Sequence, residues 1–128
     1  MMVRGIRGAT TVENNSAEAI IEASQEMLQQ LVSDNDVNPE NISQIWFTVT
    51  QDLNAAFPAR SLRNFRDFQY VPVMCATEIN VPESLEKCIR VMVSYNTTKK
   101  QKDIRHVYLR DAVKLRPDLS LTKEGGSR

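Results

Sequence analysis

The chain has 128 residues, enough for one domain to bury a core without metals or disulfides. Its 16 basic and 16 acidic side chains cancel to a formal net charge of zero, which argues against a general binder of the nucleic-acid backbone. Hydrophobic residues at 41% and charged residues at 25% are a globular mixture, well away from disordered composition.

Net zero hides a division. Residues 1–56 carry Arg4 and Arg7 against eight acidic side chains, a balance of −6, so the remainder stands at +6. Arginine dominates that basic part ahead of the lysine-rich loop at 99–102, and its planar fork of donors grips carboxylates and phosphates in pairs. A small anion is therefore a candidate ligand. The start, MMVRGIRGATT, has no apolar leader and no small-residue cleavage site, and no apolar run reaches the roughly 18 residues a membrane span needs. Neither secretion nor membrane insertion is expected. Cys75 and Cys88 supply no disulfide framework and no paired ligand spacing, so a cytoplasmic protein with two free thiols is expected.

In chain order, VRGIRGATTV (3–12) is rich in β-branched residues and too rich in glycine for a helix, which predicts a strand. Alternation puts Val3, Gly5, Arg7 and Ala9 on one side and Ile6, Gly8, Thr10 and Val12 on the other. Asn15 with Glu18 resembles a capping box, and Ile20, Met27, Leu28 and Leu31 recur at helical spacing, predicting an amphipathic helix through residue 32 with an acidic outer face. The polar run SDNDVNPEN ends it. Ile45, Phe47 and Val49 then alternate with Gln44, Trp46 and Thr48 as a half-buried strand. Pro58 opens a short helix in AFPARSLRNF, with Arg60 and Arg63 on one face and Leu62 and Phe65 turned inward. Pro72 and Pro82 make the stretch holding Cys75 and Glu78 an edge strand or irregular chain. KCIRVMVSY is the clearest strand, with Ile89, Val91 and Val93 on one face and Cys88, Arg90 and Met92 on the other. RHVYLR reads as a short strand placing His106 and Tyr108 together, followed by a helical segment at DAVKL that Pro117 stops. The whole is one domain, 1–128, with a mobile tail from about residue 116.

His106 is the only histidine and has no flanking motif, so it reads as a satisfied or surface residue rather than a catalytic base. One histidine and two cysteines match no zinc spacing, and RGIRGA is not a phosphate-binding glycine loop. No metal or cofactor is expected. Arg7 and Arg90 lie on core strands, where a charge costs several kcal/mol unless paired. Each needs an anion, either Glu78 or another acidic residue in a structural ion pair, or a ligand carboxylate. Taken alone, Arg60 and Arg63 are a solvated helix face, Cys75 a small core residue and Tyr108 a core aromatic.

These residues sit in stretches that resemble the monofunctional AroH-class chorismate mutases, small bacterial enzymes of aromatic amino-acid biosynthesis. RGIRGATTVE, FPARSLR, VPVMCATE, KCIRVM, IRHVYL and LRPDLSLTK carry the resemblance in order from Met1 to about Lys123. It implies an α+β domain of ferredoxin-like type, a mixed sheet with helices on one side. It further implies a homotrimer, a pseudo-α/β-barrel with active sites at subunit clefts, acting in the cytoplasm on chorismate. The implied reaction is a pericyclic rearrangement to prephenate, with no cofactor and no covalent intermediate. Such a catalyst has only to hold a flexible dicarboxylate in a compact form and stabilise charge as the ether bond breaks.

By the same resemblance, Arg90 meets the developing charge on the ether oxygen and a carboxylate, and Arg7 and Tyr108 meet the carboxylate side. Glu78 and Cys75 take the ring hydroxyl. Phe57 from a neighbouring subunit and Leu115 form apolar walls, with Ala59 beside Phe57 also in the substrate set. Arg60, Arg63 and Arg116 surround the entrance. Position 60 is commonly lysine in the family and is arginine here, and Met74 stands where threonine is expected. Two other readings stay open at this point: a trimeric enamine or imine deaminase that binds a substrate carboxylate through arginine, and a non-catalytic sensor of a small carboxylate.

Overall fold

The computed structural model describes residues 1–115; Arg116, Pro117 and the tail lie outside the described residues. Five strands form one mixed sheet: β1 (Met2–Thr11), β2 (Ile42–Val49), β3 (Val73–Thr77), β4 (Cys88–Thr97) and β5 (Val107–Tyr108), in the order β3-β2-β4-β1-β5. β4 lies at the centre, antiparallel to both β1 and β2, while β3 runs parallel to β2 and β5 parallel to β1. One α-helix, α1 (Ala17–Asn35), packs on one face.

Sequence alternation sets that face. Ile6 pairs with Val93, Gly8 with Val91, and Val91 and Val93 with Phe47 and Ile45, so these side chains share one side of the sheet. There they meet Ile20, Ala23, Met27, Leu28 and Leu31, the buried stripe of α1 at three- and four-residue spacing. Each such aliphatic or aromatic side chain, once fully buried, stabilises the fold by about 1.5–3 kcal/mol. Gly8 is required by this contact: a Cβ there would come within 2.9 Å of Val91 Cγ1 and 3.2 Å of Met27 Cγ. Absence of a side chain lets α1 approach β1 closely.

Ser16, not Asn15, caps α1, its hydroxyl accepting from the Ala19 N–H at 3.1 Å. Asn15 instead ties the helix entrance to the loop after β2, its side-chain oxygen accepting from the N–H groups of Asn54 and Ala55. The helix also runs past residue 32 to Asn35, where Asp36 adopts a left-handed conformation (φ 50°) and its N–H closes the last turn on the Val32 carbonyl.

The α+β class and mixed sheet agree with expectation, but the layout departs from the ferredoxin-like type in two ways. A βαββαβ unit carries two helices, whereas here the second crossover, between parallel β2 and β3, contains only a 3-10 helix, Pro58–Asn64. That segment packs beside α1 through Leu62 and Phe65. Helical structure is not confined to one side either. The closing 3-10 helix, Arg110–Leu115, folds back over β1 and buries Ala112 against Ala9 and Tyr108, side chains of the opposite sheet face.

Candidate active site

The sheet face turned away from α1 gathers the charged residues. Pairing aligns Ala76, Thr48, Arg90, Ala9 and Tyr108 in one row across all five strands. A neighbouring row holds Met74, Trp46, Met92 and Arg7. Arg7 and Arg90 are therefore diagonal neighbours on β1 and β4, a relation that separates residues by roughly 7–8 Å. Small Ala9 between Arg90 and Tyr108 lets Ala112 of the closing segment pack onto the sheet there.

The turn before Arg90 is clamped. Both oxygens of Asp52 accept from the Lys87 N–H, at 2.9 and 3.2 Å, and Thr50 Oγ1 accepts from the Cys88 N–H at 3.0 Å. These bonds lock the start of β4 to the chain leaving β2 and so fix where Arg90 emerges. The Glu78 N–H donates to the Val49 carbonyl at 2.8 Å, which brings Glu78 to the same end of the sheet.

Arg90 Nε lies 3.5 Å from Glu78 Oε2, and the Thr48 hydroxyl donates to that same oxygen. Arg90 Nε is buried and has no hydrogen-bond partner among the described residues. Arg7 is held differently: its Nε donates to the Tyr108 hydroxyl at 2.9 Å, and its guanidinium carbon lies 5.7 Å from the centroid of that ring. The Arg7 backbone N–H donates to His106 Nδ1 at 3.0 Å. Burial, and then the Arg7 charge, hold the His106 pKa below its ordinary 6.5, so the ring stays neutral and Nδ1 stays an acceptor at neutral pH. Among the described residues Arg7 has no carboxylate partner. Of the two guanidinium groups on this face only Arg90 has a carboxylate beside it, and the surplus positive charge suits an anionic ligand.

The resemblance set divides in space. Arg7, Glu78, Arg90 and Tyr108 come together, and Leu115 packs into the cluster of Tyr108, Ala9 and Ala112. Cys75 does not join them through its side chain. It pairs with Phe47, so its thiol faces the α1 side, where burial raises its pKa and a hydrogen bond to the Ala59 backbone partly offsets this. Phe57, Ala59, Arg60 and Arg63 belong to the 3-10 segment beside α1, with Phe57 69% exposed and both arginines exposed. Arg116 lies outside the described residues.

Thr48 and Cys88 were missed by sequence reasoning. Alternation placed Thr48 on the outer side of β2, but only the β2–β4 register sets it opposite Arg90. Cys88 is a buried thiol beside Arg90; burial raises its pKa, and the arginine opposes that rise.

Surface shape adds a further constraint. The larger cleft, about 610 Å³, lies at the start of α1 and is lined by Glu13, Glu18, Glu22 and Asp111 against Arg110, an acidic lining unsuited to a dicarboxylate. A second, about 440 Å³, includes Glu78 and Asp52 and follows the loop to Glu86. Neither encloses Arg7 or Arg90. Beside those arginines the sheet exposes apolar surface, Trp46 at 38%, Met92 at 42% and Met74 at 59%. Among the described residues no helix is long and apolar enough to cross a membrane.

Residues 3–119 match the family model described as chorismate mutase type I. The chain is 49% identical over 123 residues to chorismate mutase AroH of Bacillus subtilis (strain 168), covering 96% of this chain and 97% of that protein. It is 48% identical to chorismate mutase AroH of Thermus thermophilus, covering 92% and 97% respectively. A solved chorismate mutase from Clostridium thermocellum superposes with a TM-score of 0.82 at 50% identity, covering 85% of this chain and 96% of that one. The chain belongs to the chorismate mutase type I family.

Proposed function

We propose that the protein is a chorismate mutase, an isomerase that converts chorismate to prephenate in aromatic amino-acid biosynthesis. Carrying this reading is the pair of guanidinium groups on one sheet face, only one of them beside a carboxylate, with a buried Arg90 donor left unused. The surplus positive charge on that face suits a carboxylate-bearing ligand.

The rearrangement breaks a C–O bond and forms a C–C bond within one molecule, so it needs no nucleophile, proton relay or cofactor. Negative charge grows on the ether oxygen as the bond breaks, and a fixed cation in a site closed to water stabilises it without reorganising. Arg90 takes that role and also holds a carboxylate. Arg7, aimed by Tyr108 and His106, binds the carboxylate side, and Glu78 accepts from the ring hydroxyl. Leu115 forms an apolar wall. Holding the substrate in its compact conformer supplies the remaining acceleration by removing conformational freedom before reaction.

The active form in this proposal is a homotrimer of the pseudo-barrel kind, in the cytoplasm. Support comes from the apolar belt of Trp46, Met74 and Met92 beside the site, which a second copy covers, and from the openness of the arginine face within one chain. In that assembly the neighbour contributes Phe57, Ala59 and Arg63, with Arg60 and Arg116 at the entrance drawing in the dianion. Arginine at position 60 keeps the charge of lysine but presents a planar fork.

The test is to incubate the purified protein with chorismate, follow the loss of its ultraviolet absorbance, identify the product, and measure particle mass by light scattering. Stoichiometric prephenate from a trimer is the expected result. Ammonia release, or chorismate binding without conversion, would contradict the proposal.

A further inference from the structure

Within that reading, on which the inference rests, one residue of the arginine face has no assigned part. Thr48 sits directly across the strand pair from Arg90, half-buried, and its hydroxyl donates to Glu78 Oε2. The same oxygen faces Arg90 Nε at 3.5 Å, yet that buried nitrogen makes no hydrogen bond. Left to itself, an ionised carboxylate beside a guanidinium closes into a charge-assisted, often two-pronged pair, which engages both oxygens and two nitrogens. Here the hydroxyl takes one of the acceptor sites on Oε2 and orients the carboxylate, which stands with that oxygen 3.5 Å from Arg90 Nε instead of closing on it.

We propose that Thr48 is a positioning residue that holds the Glu78 carboxylate off Arg90. The hydroxyl keeps Glu78 aimed at the substrate and keeps the Arg90 donors available for the charge that develops on the substrate's ether oxygen. Without it, Glu78 collapses onto Arg90 and neutralises it. The loss then falls chiefly on kcat, because a free Arg90 matters most in the transition state, with a smaller effect on KM.

Valine preserves the shape and strand preference of threonine and removes only the hydroxyl. Thr48→Val and Thr48→Ser should be compared with the parent for kcat and KM with chorismate, together with thermal midpoint. Thr48→Val is expected to lower kcat roughly tenfold to a hundredfold, the range for a hydrogen bond to a charged group, with KM changed less than kcat. Thr48→Ser, which restores the hydroxyl, is expected to recover most of the parent kcat. Parent-like kcat and KM in Thr48→Val would overturn the positioning role, as would a Thr48→Ser variant as impaired as Thr48→Val. A fall in thermal midpoint with kcat unchanged would reduce Thr48 to a structural residue and overturn it as well. A parent that leaves chorismate unconverted would overturn the proposed function itself, and this role with it, an outcome distinct from an active parent with an equally active Thr48→Val.

Discussion

Arg7 shows how a single charged side chain is aimed without a counter-ion. Its guanidinium rests on the Tyr108 hydroxyl and its backbone N–H on His106 Nδ1, so both restraints come from the segment around β5. Neutrality of His106 is required for the second of these. With its folded pKa below 6.5, the folded state resists protonation that the unfolded chain accepts. This stabilisation is complete above the unfolded value and is lost as pH falls from about 6.5 through the lower folded value. Thermal midpoint is therefore expected to drop below pH 6.5, and His106→Asn, which cannot titrate, to flatten that part of the drop. An identical pH profile in His106→Asn would show that other groups cause it. Across neutral pH the rate is expected to be nearly flat, since the ring is already neutral and the chemistry moves no proton. The sequence marked Arg7, Glu78, Arg90 and Tyr108 only as charged or aromatic residues on strands. Their selection as a set came through the family resemblance, because side-chain alternation gives a face but not the partner strand. Cys75 illustrates the limit: its stretch is right, yet the β2–β3 register turns the thiol to the other side.

At the level of elements, the strands and the amphipathic helix were legible because alternation and the helical repeat of apolar side chains record burial directly. The short β5 depends on something that pattern does not encode. Asn35, fully buried at the end of α1, donates to the carbonyls of Leu31 and Arg105, both at 2.9 Å, and accepts from the Arg105 N–H at 2.8 Å. In the sequence it looks like part of a polar run that ends the helix. In the fold it pins the chain one residue before His106 and three before Tyr108. Asn35→Ala is expected to strip the part-buried Arg105 N–H and C=O of these partners and cost about 0.5–1.5 kcal/mol for each hydrogen bond lost. Denaturant unfolding checks this, together with weaker substrate binding as Arg7 loses its alignment. Unchanged stability would show that water or backbone replaces the amide.

For the whole molecule, the division of charge seen in the sequence acquires a location. Glu13, Glu18 and Glu22 of the first half line the cleft at the start of α1, whereas Arg90 of the basic half, on β4, joins Arg7 on the sheet face turned away from α1. One chain leaves exposed apolar side chains, Trp46, Met74 and Met92, beside that face, and the proposed homotrimer covers them. In the proposed mechanism Arg90, a fixed cation on this face, provides the main electrostatic stabilisation of a unimolecular rearrangement. The most direct measurement compares the parent with Arg90→Ala for conversion of chorismate to prephenate at matched folded concentration. A loss of at least about 10² to 10³ in kcat, the usual effect of removing one preorganised donor, is the result expected. Parent-level turnover in Arg90→Ala would show that this cation does not carry the catalysis.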